Sequence, residues 1–330
     1  MNPLPFQSKL HQTAELIRKS RKIILACHMN PDGDAIGSLL ALGQGLKRLR
    51  KSVELLCPDP VPQRYLSLPG AKGIKQSYQG KADLAISVDC GSIIQLSQLE
   101  HAFEKSERII EIDHHIYRTR FGDIQLVDRH VCSVGEIIYQ LLLLLNVKLD
   151  KYIGECLMIS TLVETSSFSR QDIKMSTFDF CSRLMQLGID FQKVSERYYW
   201  RRKLSSLKLS GLCFTRLAMR ANQELVWSIV DKEDFKRFKG DQADVDSVPD
   251  EMLMIENVRV AILFREIDDN RLRVSLRSRG NINIGYLASL YGGGGHLDVA
   301  GCRIHKNEKT IEKFINQACQ LIYKNKRFRN

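Results

Sequence analysis

Three short stretches of the sequence place imidazoles and carboxylates where apolar runs end. The first is His28-Met29-Asn30-Pro31-Asp32-Gly33-Asp34, which follows the run at residues 23–27. The second is Asp89-Cys90-Gly91 after residues 84–88, and the third is Asp113-His114-His115 after residues 108–112. Imidazoles and carboxylates without thiolates suit Mn²⁺ or a similar divalent ion better than a structural zinc. Pro31 fixes and Gly33 bends the backbone, so that His28, Asp32 and Asp34 point to a common side. Each stretch has a plainer reading: an Asn-Pro-Asp-Gly turn, a helix N-cap at Asp89, a packed core imidazole at His114 or His115. Three successive run ends with such groups argue for one shared metal site.

These groups meet only if the right elements carry them. Residues 10–19 form an amphipathic pattern, and 23–27, 52–57, 84–88 and 108–112 read as buried strands. The apolar residues Ile36, Leu39, Leu40, Leu42, Leu46 and Leu49 recur at helical spacing beyond Asp34, so the first cluster occupies a strand-to-helix turn. Strands alternating with helices, each closing in acidic or imidazole groups, predict a doubly wound, mainly parallel α/β sheet with its ligands at the carboxyl ends. Residues 133–145 and 151–163 predict two apolar covering helices, with more helix at 176–187 and 191–202. The basic aromatic run Arg197-Tyr198-Tyr199-Trp200-Arg201-Arg202-Lys203 could stack bases, or be an inter-domain helix with one packed and one solvated side.

The second half changes character. Residues 203–210 read as a connector, and 212–219, 225–230, 258–267 and 272–276 as strands of a separate mixed sheet, with Asp268-Asp269-Asn270 as a hairpin turn. Helices are expected at 231–238 and 248–254, around a polar loop at 240–247. Gly292-Gly293-Gly294-Gly295-His296 lies between a helical pattern at 284–291 and a strand at 302–305. Four glycines expose backbone amides to an anionic ligand that His296 can also contact, the alternative being a flexible linker. Upstream, Ser275-Leu276-Arg277-Ser278-Arg279-Gly280 offers groups suited to phosphate, although either arginine could be a surface ion-pair partner.

Composition sets the outer bounds. A chain of 330 residues with 44% hydrophobic content predicts two domains with ample cores. No apolar run approaches the roughly 20 residues of a membrane span, and the N-terminus, with Pro3, Pro5 and Gln7, lacks a signal-peptide core, so a cytoplasmic protein without membrane contact is expected. Nine cysteines without a CxxC pair read as reduced, buried thiols. The formal charge of +11 favours a polyanionic partner mildly. A homodimer is compatible with the sequence, which does not fix the oligomeric state.

The 28–38 stretch, Val88-Asp89-Cys90-Gly91 and Asp113-His114-His115 resemble, in order and spacing, the first three motifs of the DHH phosphoesterase superfamily. The place of a fourth motif is taken by residues 157–166, with Glu164 where the family has Asp and Ser166 where it often has Gly. The segments 275–280 and 292–301 resemble the substrate-binding domain that accompanies many DHH domains, with Leu297 in place of the usual proline. The two-domain layout is most similar to the nanoRNase and pAp phosphatase branch. This resemblance implies a metal-binding DHH domain at 1–195, a connector at 196–210 and a smaller α/β mixed-sheet substrate-binding domain at 211–330.

The same resemblance implies two divalent ions, Mn²⁺ by preference, one on His28, Asp32 and Asp89 and the other on Asp34, Asp89, His114 and Glu164. Asp113 would orient the site and His115 would face the substrate phosphate. Arg277, Ser278, Gly293, Gly294, Gly295 and His296 would hold a terminal phosphate or nucleotide across the inter-domain cleft. The expected activity is hydrolysis of short oligonucleotides, dinucleotides or 3′-phosphoadenosine 5′-phosphate (pAp) by metal-activated water. The alternatives are a linear or cyclic dinucleotide phosphodiesterase (pApA or c-di-AMP) and a nucleotide-binding sensor weakened at Glu164.

Overall fold

The computed structural model describes residues 5–115, 118–169, 173–295 and 297–327, which divide into two compact units, Met1–Arg201 and Arg202–Asn330. The first contains α1 (Phe6–Lys19), β1 (Lys22–Cys27), α2 (Gly33–Arg48), β2 (Ser52–Leu56), β3 (Leu84–Val88), α3 (Glu100–Glu104), β4 (Ile109–Asp113), β5 (Ile124–Val127), α4 (Val134–Leu144), α5 (Lys151–Glu164), α6 (Met175–Met185) and α7 (Phe191–Ser195). Its five strands are all parallel in the order β2-β1-β3-β4-β5. The order reverses between β1 and β3, which is where an open α/β sheet leaves a crevice at its carboxyl edge. Alternation along the strands divides the core: Ile23, Leu25, Ile86, Ile110 and Ile112 pack under α1, α2, α4 and α5. Ile24, Ala26 and Ala85 face Leu96, Leu99 and Phe103 on the other side.

Helix α2 is buried from Gly33 to Gly43, and glycine is what lets it pack so closely. A Cβ on Gly37 would stand 2.4 Å from the Cys156 carbonyl oxygen of α5. The two helices therefore touch through backbone, which sets Asp34 and Ser38 of α2 against Ser160 of α5. The stretch after α5 is unusual: Ser166, Ser167 and Phe168 have φ of 47°, 56° and 64°, the left-handed region that non-glycine residues enter at about 1–2 kcal/mol each. A glycine in place of Ser166 would avoid that cost.

The second unit contains α8 (Leu204–Thr215), β6 (Ala218–Arg220), β7 (Leu225–Val230), α9 (Lys232–Phe238), α10 (Val248–Met252), β8 (Val260–Asp268), β9 (Arg271–Ser278), α11 (Ile284–Ser289), β10 (Gly294–Gly295), β11 (Val299–His305) and α12 (Glu308–Arg327). Its sheet runs β10-β11-β9-β8-β7-β6, with β7 and β8 parallel and the other pairs antiparallel. One face packs on α11 and α12 through Ile262, Phe264, Val274, Leu276 and Phe314, and the other on α8–α10 through Val226, Ala261, Leu263 and Met252.

Two readings of the sequence are corrected. Residues 203–210 are not a connector throughout and 212–219 are not a strand: α8 runs through both, and β6 begins only at Ala218. The helical face was hidden because its buried positions are Ser206, Leu209, Ser210 and Cys213, while Leu204 and Leu207 are exposed. In the basic aromatic run, Tyr198 is buried against the first core and donates to Glu155 Oε1 at 3.0 Å, while Trp200 is exposed. All nine cysteines are buried, and none is paired in a disulfide. Among the described residues, no helix is long and apolar enough to cross a membrane.

Candidate metal centre

The ends of β1, β3 and β4 and the last turn of α5 carry the imidazoles and carboxylates that could hold a cation. After β1, the His28 Nδ1 lies 2.8 Å from the Met29 carbonyl oxygen, which can only accept, so Nδ1 carries the proton and Nε2 is turned toward Asp89 at 3.5 Å. Asp32 caps α2, accepting from the Ala35 amide at 3.0 Å. Asp34, in the first turn of α2, is fully buried. Its Oδ1 accepts from Ser160 at 2.7 Å and Ser38 at 2.9 Å, and its Oδ2 from the Val134 amide at 2.9 Å. The close packing of α2 on α5 thus fixes the carboxylate from three sides.

Asp89 follows β3 in a left-handed conformation, φ 57°, held by its amide donating to the Ile112 carbonyl at 2.9 Å. That turn aims the carboxylate at three imidazoles: Oδ1 lies 3.7 Å from His114 Nε2 and 3.5 Å from His115 Nδ1, and Oδ2 faces His28. His114 Nε2 is also 3.8 Å from Asp34 Oδ2. Asp113 is buried and its Oδ1 accepts from the His114 amide at 2.8 Å, the His115 amide at 3.3 Å and His115 Nδ1 at 2.6 Å.

Three groups of side chains bring their ligand atoms within 4.8 Å of one another: His28, Asp32 and Asp89; Asp34, His114 and Glu164; and Asp89, His114 and His115. Asp89 and His114 each belong to two groups, so the three merge into one cluster. The donors fit a divalent cation by an observation independent of their types: Asp89 Oδ1 is buried without a hydrogen-bond partner among the described residues. A buried carboxylate oxygen normally has a donor, and a cation would satisfy this one.

The charges confirm how unbalanced the cluster is by itself. Burial would raise the Asp89 carboxyl, but its hydrogen bond from His28 and the charges of His115, His28 and His114 hold it well below the usual range. Burial pulls the His28 imidazolium down, yet Asp89 and Asp32 outweigh it and leave it raised to about 10. His115 is likewise pulled down by burial and raised, on balance, to about 9 by Asp113 and Asp89. Asp34 is pushed up, first by burial and then by the charges of Asp89, Glu164 and Asp32. Without a cation, the protein holds protons in its place.

A pH dependence follows. An unfolded imidazole ionises near 6.5, so two raised imidazoles stabilise the fold fully below about pH 6.5, and that stability is lost as the pH rises through about 9 and 10. Thermal melts of the metal-free chain should show Tm falling from about pH 7 to about pH 10, and an added divalent cation, which displaces these protons, should flatten the fall. A metal-free Tm that stays level across this range would mean that the imidazoles are not charged partners of Asp89.

In the second unit, alternation separates residues that stand together in sequence. Ser278 is buried on the core face of β9, where its Oγ donates to the Ile282 carbonyl at 2.7 Å. Arg277 points to the opposite face, with Nε 2.8 Å from Asp250 Oδ1. The serine expected to contact phosphate has its hydroxyl on the turn after β9. Within the glycine loop, a Cβ on Gly293 would meet the Gly301 carbonyl oxygen at 2.2 Å, and one on Gly295, at φ 138°, the Val299 carbonyl oxygen at 2.4 Å. Those two glycines permit the β10–β11 hairpin, whereas Gly294 opens onto free space. The neighbouring His296 lies outside the described residues.

Two features of the first unit escaped sequence reasoning. Ser38 and Ser160 hold Asp34 but look like small helix residues in a linear reading. Arg118, five residues beyond Asp113, binds Glu111 and faces Asp113, and nothing in its loop signals a buried position.

Comparison with known proteins bears on both units. The family model described as "DHH family, N-terminal domain" matches residues 22–161, and that described as "DHHA1 domain" matches residues 222–324. The chain is 25% identical over 300 residues to the bifunctional oligoribonuclease and PAP phosphatase NrnA of Thermus thermophilus, covering 91% of this chain and 89% of that protein. It is 26% identical over 289 residues to the protein of the same description from Bacillus subtilis, covering 86% of this chain and 89% of that one. Among solved structures, an exopolyphosphatase-related protein from Bacteroides fragilis superposes with a TM-score of 0.89 at 25% identity, covering 95% of this chain and 96% of that chain.

Proposed function

We propose that the chain, which matches the DHH family N-terminal domain model and then the DHHA1 domain model, is a metal-dependent phosphoesterase of the DHH family hydrolysing short oligonucleotides and pAp. The observation that carries this reading is the Asp89 carboxylate, buried, short of a donor, and shared between two ligand groups at the carboxyl edge of the sheet. The relatives from Thermus thermophilus and Bacillus subtilis, similar over nearly their whole length, support the substrate class.

In this reading, His28, Asp32 and Asp89 hold one divalent ion and Asp34, Asp89, His114 and Glu164 a second, Mn²⁺ by preference. Two such ions supply a water of lowered pKa and a countercharge for the phosphoryl oxygens. The four carboxylates among these ligands match the charge of two divalent ions. His28 offers Nε2 as a ligand because Met29 fixes its tautomer. Asp113 holds His115 by its Nδ1, and in this reading that imidazole faces the substrate phosphate. The division of labour assigns 1–195 to catalysis and 211–330 to substrate binding, with 196–210, which takes in the first turns of α8, joining them. There, the amides of Gly293, Gly294 and Gly295, with Arg277 and His296, hold a terminal phosphate, and Ser278 braces the turn beside them.

The test is turnover by the purified full chain, with Mn²⁺, of pAp, pApA, RNA and DNA dinucleotides, c-di-AMP and a long single strand. The expected result is hydrolysis of pAp or dinucleotides that stops with chelator and returns with Mn²⁺. Preference for the cyclic dinucleotide would move the reading to a cyclic-dinucleotide phosphodiesterase, and equal rates on long strands would remove the restriction to short substrates. Tight nucleotide binding without turnover of any of them would make the chain a sensor.

A further inference from the structure

Behind the Asp113–His115 corner lies a line of buried charge that no role described so far uses. Glu111 and Asp113 alternate onto the same face of β4, and both side chains are fully buried. The Arg118 side chain, only 7% exposed, reaches both: its Nη2 donates to Glu111 Oε2, and its Nε stands 3.5 Å from Asp113 Oδ2. Those last two atoms, Arg118 Nε and Asp113 Oδ2, are both buried without a hydrogen-bond partner among the described residues, and they face each other. The remaining oxygen of Glu111 accepts from the amides of Phe121, at 2.7 Å, and Gly122.

A tether for the 118–122 loop would need Glu111 alone, which already binds that loop at two amides and one guanidinium. The pairing with Asp113 adds something else. Among the described residues, Asp113 Oδ1 takes three donors, all from His114 and His115, so the plane of its carboxylate decides where that pair sits. Among the described residues, only Arg118 is seen to face the other oxygen. Without it, Oδ2 would be buried with no donor facing it from the described residues, and the carboxylate would turn, releasing the Nδ1 of His115. Arg suits this place because a planar guanidinium can engage two carboxylates at once, which an ammonium does as a single point charge.

We propose that Arg118, braced by Glu111, is a positioning residue for phosphoester hydrolysis: it fixes the Asp113 carboxylate, which fixes the His114–His115 pair against Asp89. The proposal rests on the hydrolase reading above and adds two residues to it. Outer partners of metal ligands typically matter by about 10–100-fold in activity or metal affinity, and Arg118→Met should lower kcat by that order with KM for pAp little changed. Arg118→Lys, which keeps the charge, should recover part of the loss, and Glu111→Gln should reproduce a fraction of it.

The experiment is run on the full chain with two readouts. Steady-state kinetics on pAp with saturating Mn²⁺ give kcat and KM for the wild type and the three variants. ¹⁵N-histidine NMR of the metal-free proteins follows the Nδ1-bound proton of His115, assigned with His115→Gln, and this signal should shift in Arg118→Met and shift less in Arg118→Lys. A folded Arg118→Met with wild-type kcat and an unmoved His115 signal would reduce Arg118 to a loop tether and overturn the proposal. A wild type that hydrolyses nothing, with a His115 signal still dependent on Arg118, would sink the hydrolase reading and leave the placement of His115 by Arg118 standing. Should Arg118→Met fail to fold, Arg118→Lys and Glu111→Gln carry the same two readouts, and wild-type values in both would overturn it.

Discussion

Replacement of Asp89 by alanine is expected to lower kcat for Mn²⁺-dependent hydrolysis by more than about 100-fold, the upper range seen when only an outer partner of a metal ligand is removed. Asp89 faces His28, His114 and His115 and belongs to two of the three ligand groups, so its loss disturbs both proposed ion sites together. Charge works in the same direction: three carboxylates cannot match two divalent ions, and binding of the second leaves the site one charge positive. Asp89→Asn separates charge from shape, since it keeps one oxygen acceptor and is expected to lose nearly as much. The alanine variant should also lose part of the alkaline fall in Tm of the metal-free chain, because Asp89 raises both His28 and His115. Rates at saturating Mn²⁺, calorimetric metal titration and a melt check these points, and a folded Asp89→Ala that still turns over at the wild-type rate would end the two-metal proposal.

The carboxyl edge of the first sheet was readable because three apolar runs each end in ligand-type residues, and a parallel sheet brings such ends together. The pattern stated which residues meet without stating how. The left-handed turn at Asp89 and the hydroxyls of Ser38 and Ser160 on Asp34 come from tertiary packing, chiefly the Gly37 approach of α2 to α5. Strand β5 was missed because, of its four residues, only Leu126 is fully buried. Helix α12 was passed over although Ile311, Phe314, Ile315, Ala318, Cys319 and Ile322 keep helical spacing, its remaining surface being charged. In the glycine loop, composition alone could not tell the glycines that β11 requires, Gly293 and Gly295, from Gly292 and Gly294, where a Cβ would meet nothing among the described residues.

Glu164 is the place where resemblance and residue diverge, and its position explains why a carboxylate belongs there. It is the last residue of α5, where the helix presents its negative end, and an acidic side chain at that end costs about 0.3–1 kcal/mol. It also shares a 4.8 Å ligand group with Asp34 and His114, and its charge helps to push the Asp34 carboxyl up. Repulsion between the two carboxylates is unfavourable, and a cation between them would relieve it. Glu164→Ala should relieve the metal-free chain, raising its Tm, while it raises the Mn²⁺ concentration for half-maximal activity by about tenfold or more and lowers kcat. Glu164→Asp, one C–C bond shorter, keeps the charge and should retain Mn²⁺-dependent hydrolysis. The opposite movement of metal-free stability and metal affinity in the alanine variant is what distinguishes a ligand from a residue that merely packs. An alanine variant with undiminished activity at limiting Mn²⁺ would remove Glu164 from the centre and leave Asp34 and His114 to hold the second ion with Asp89.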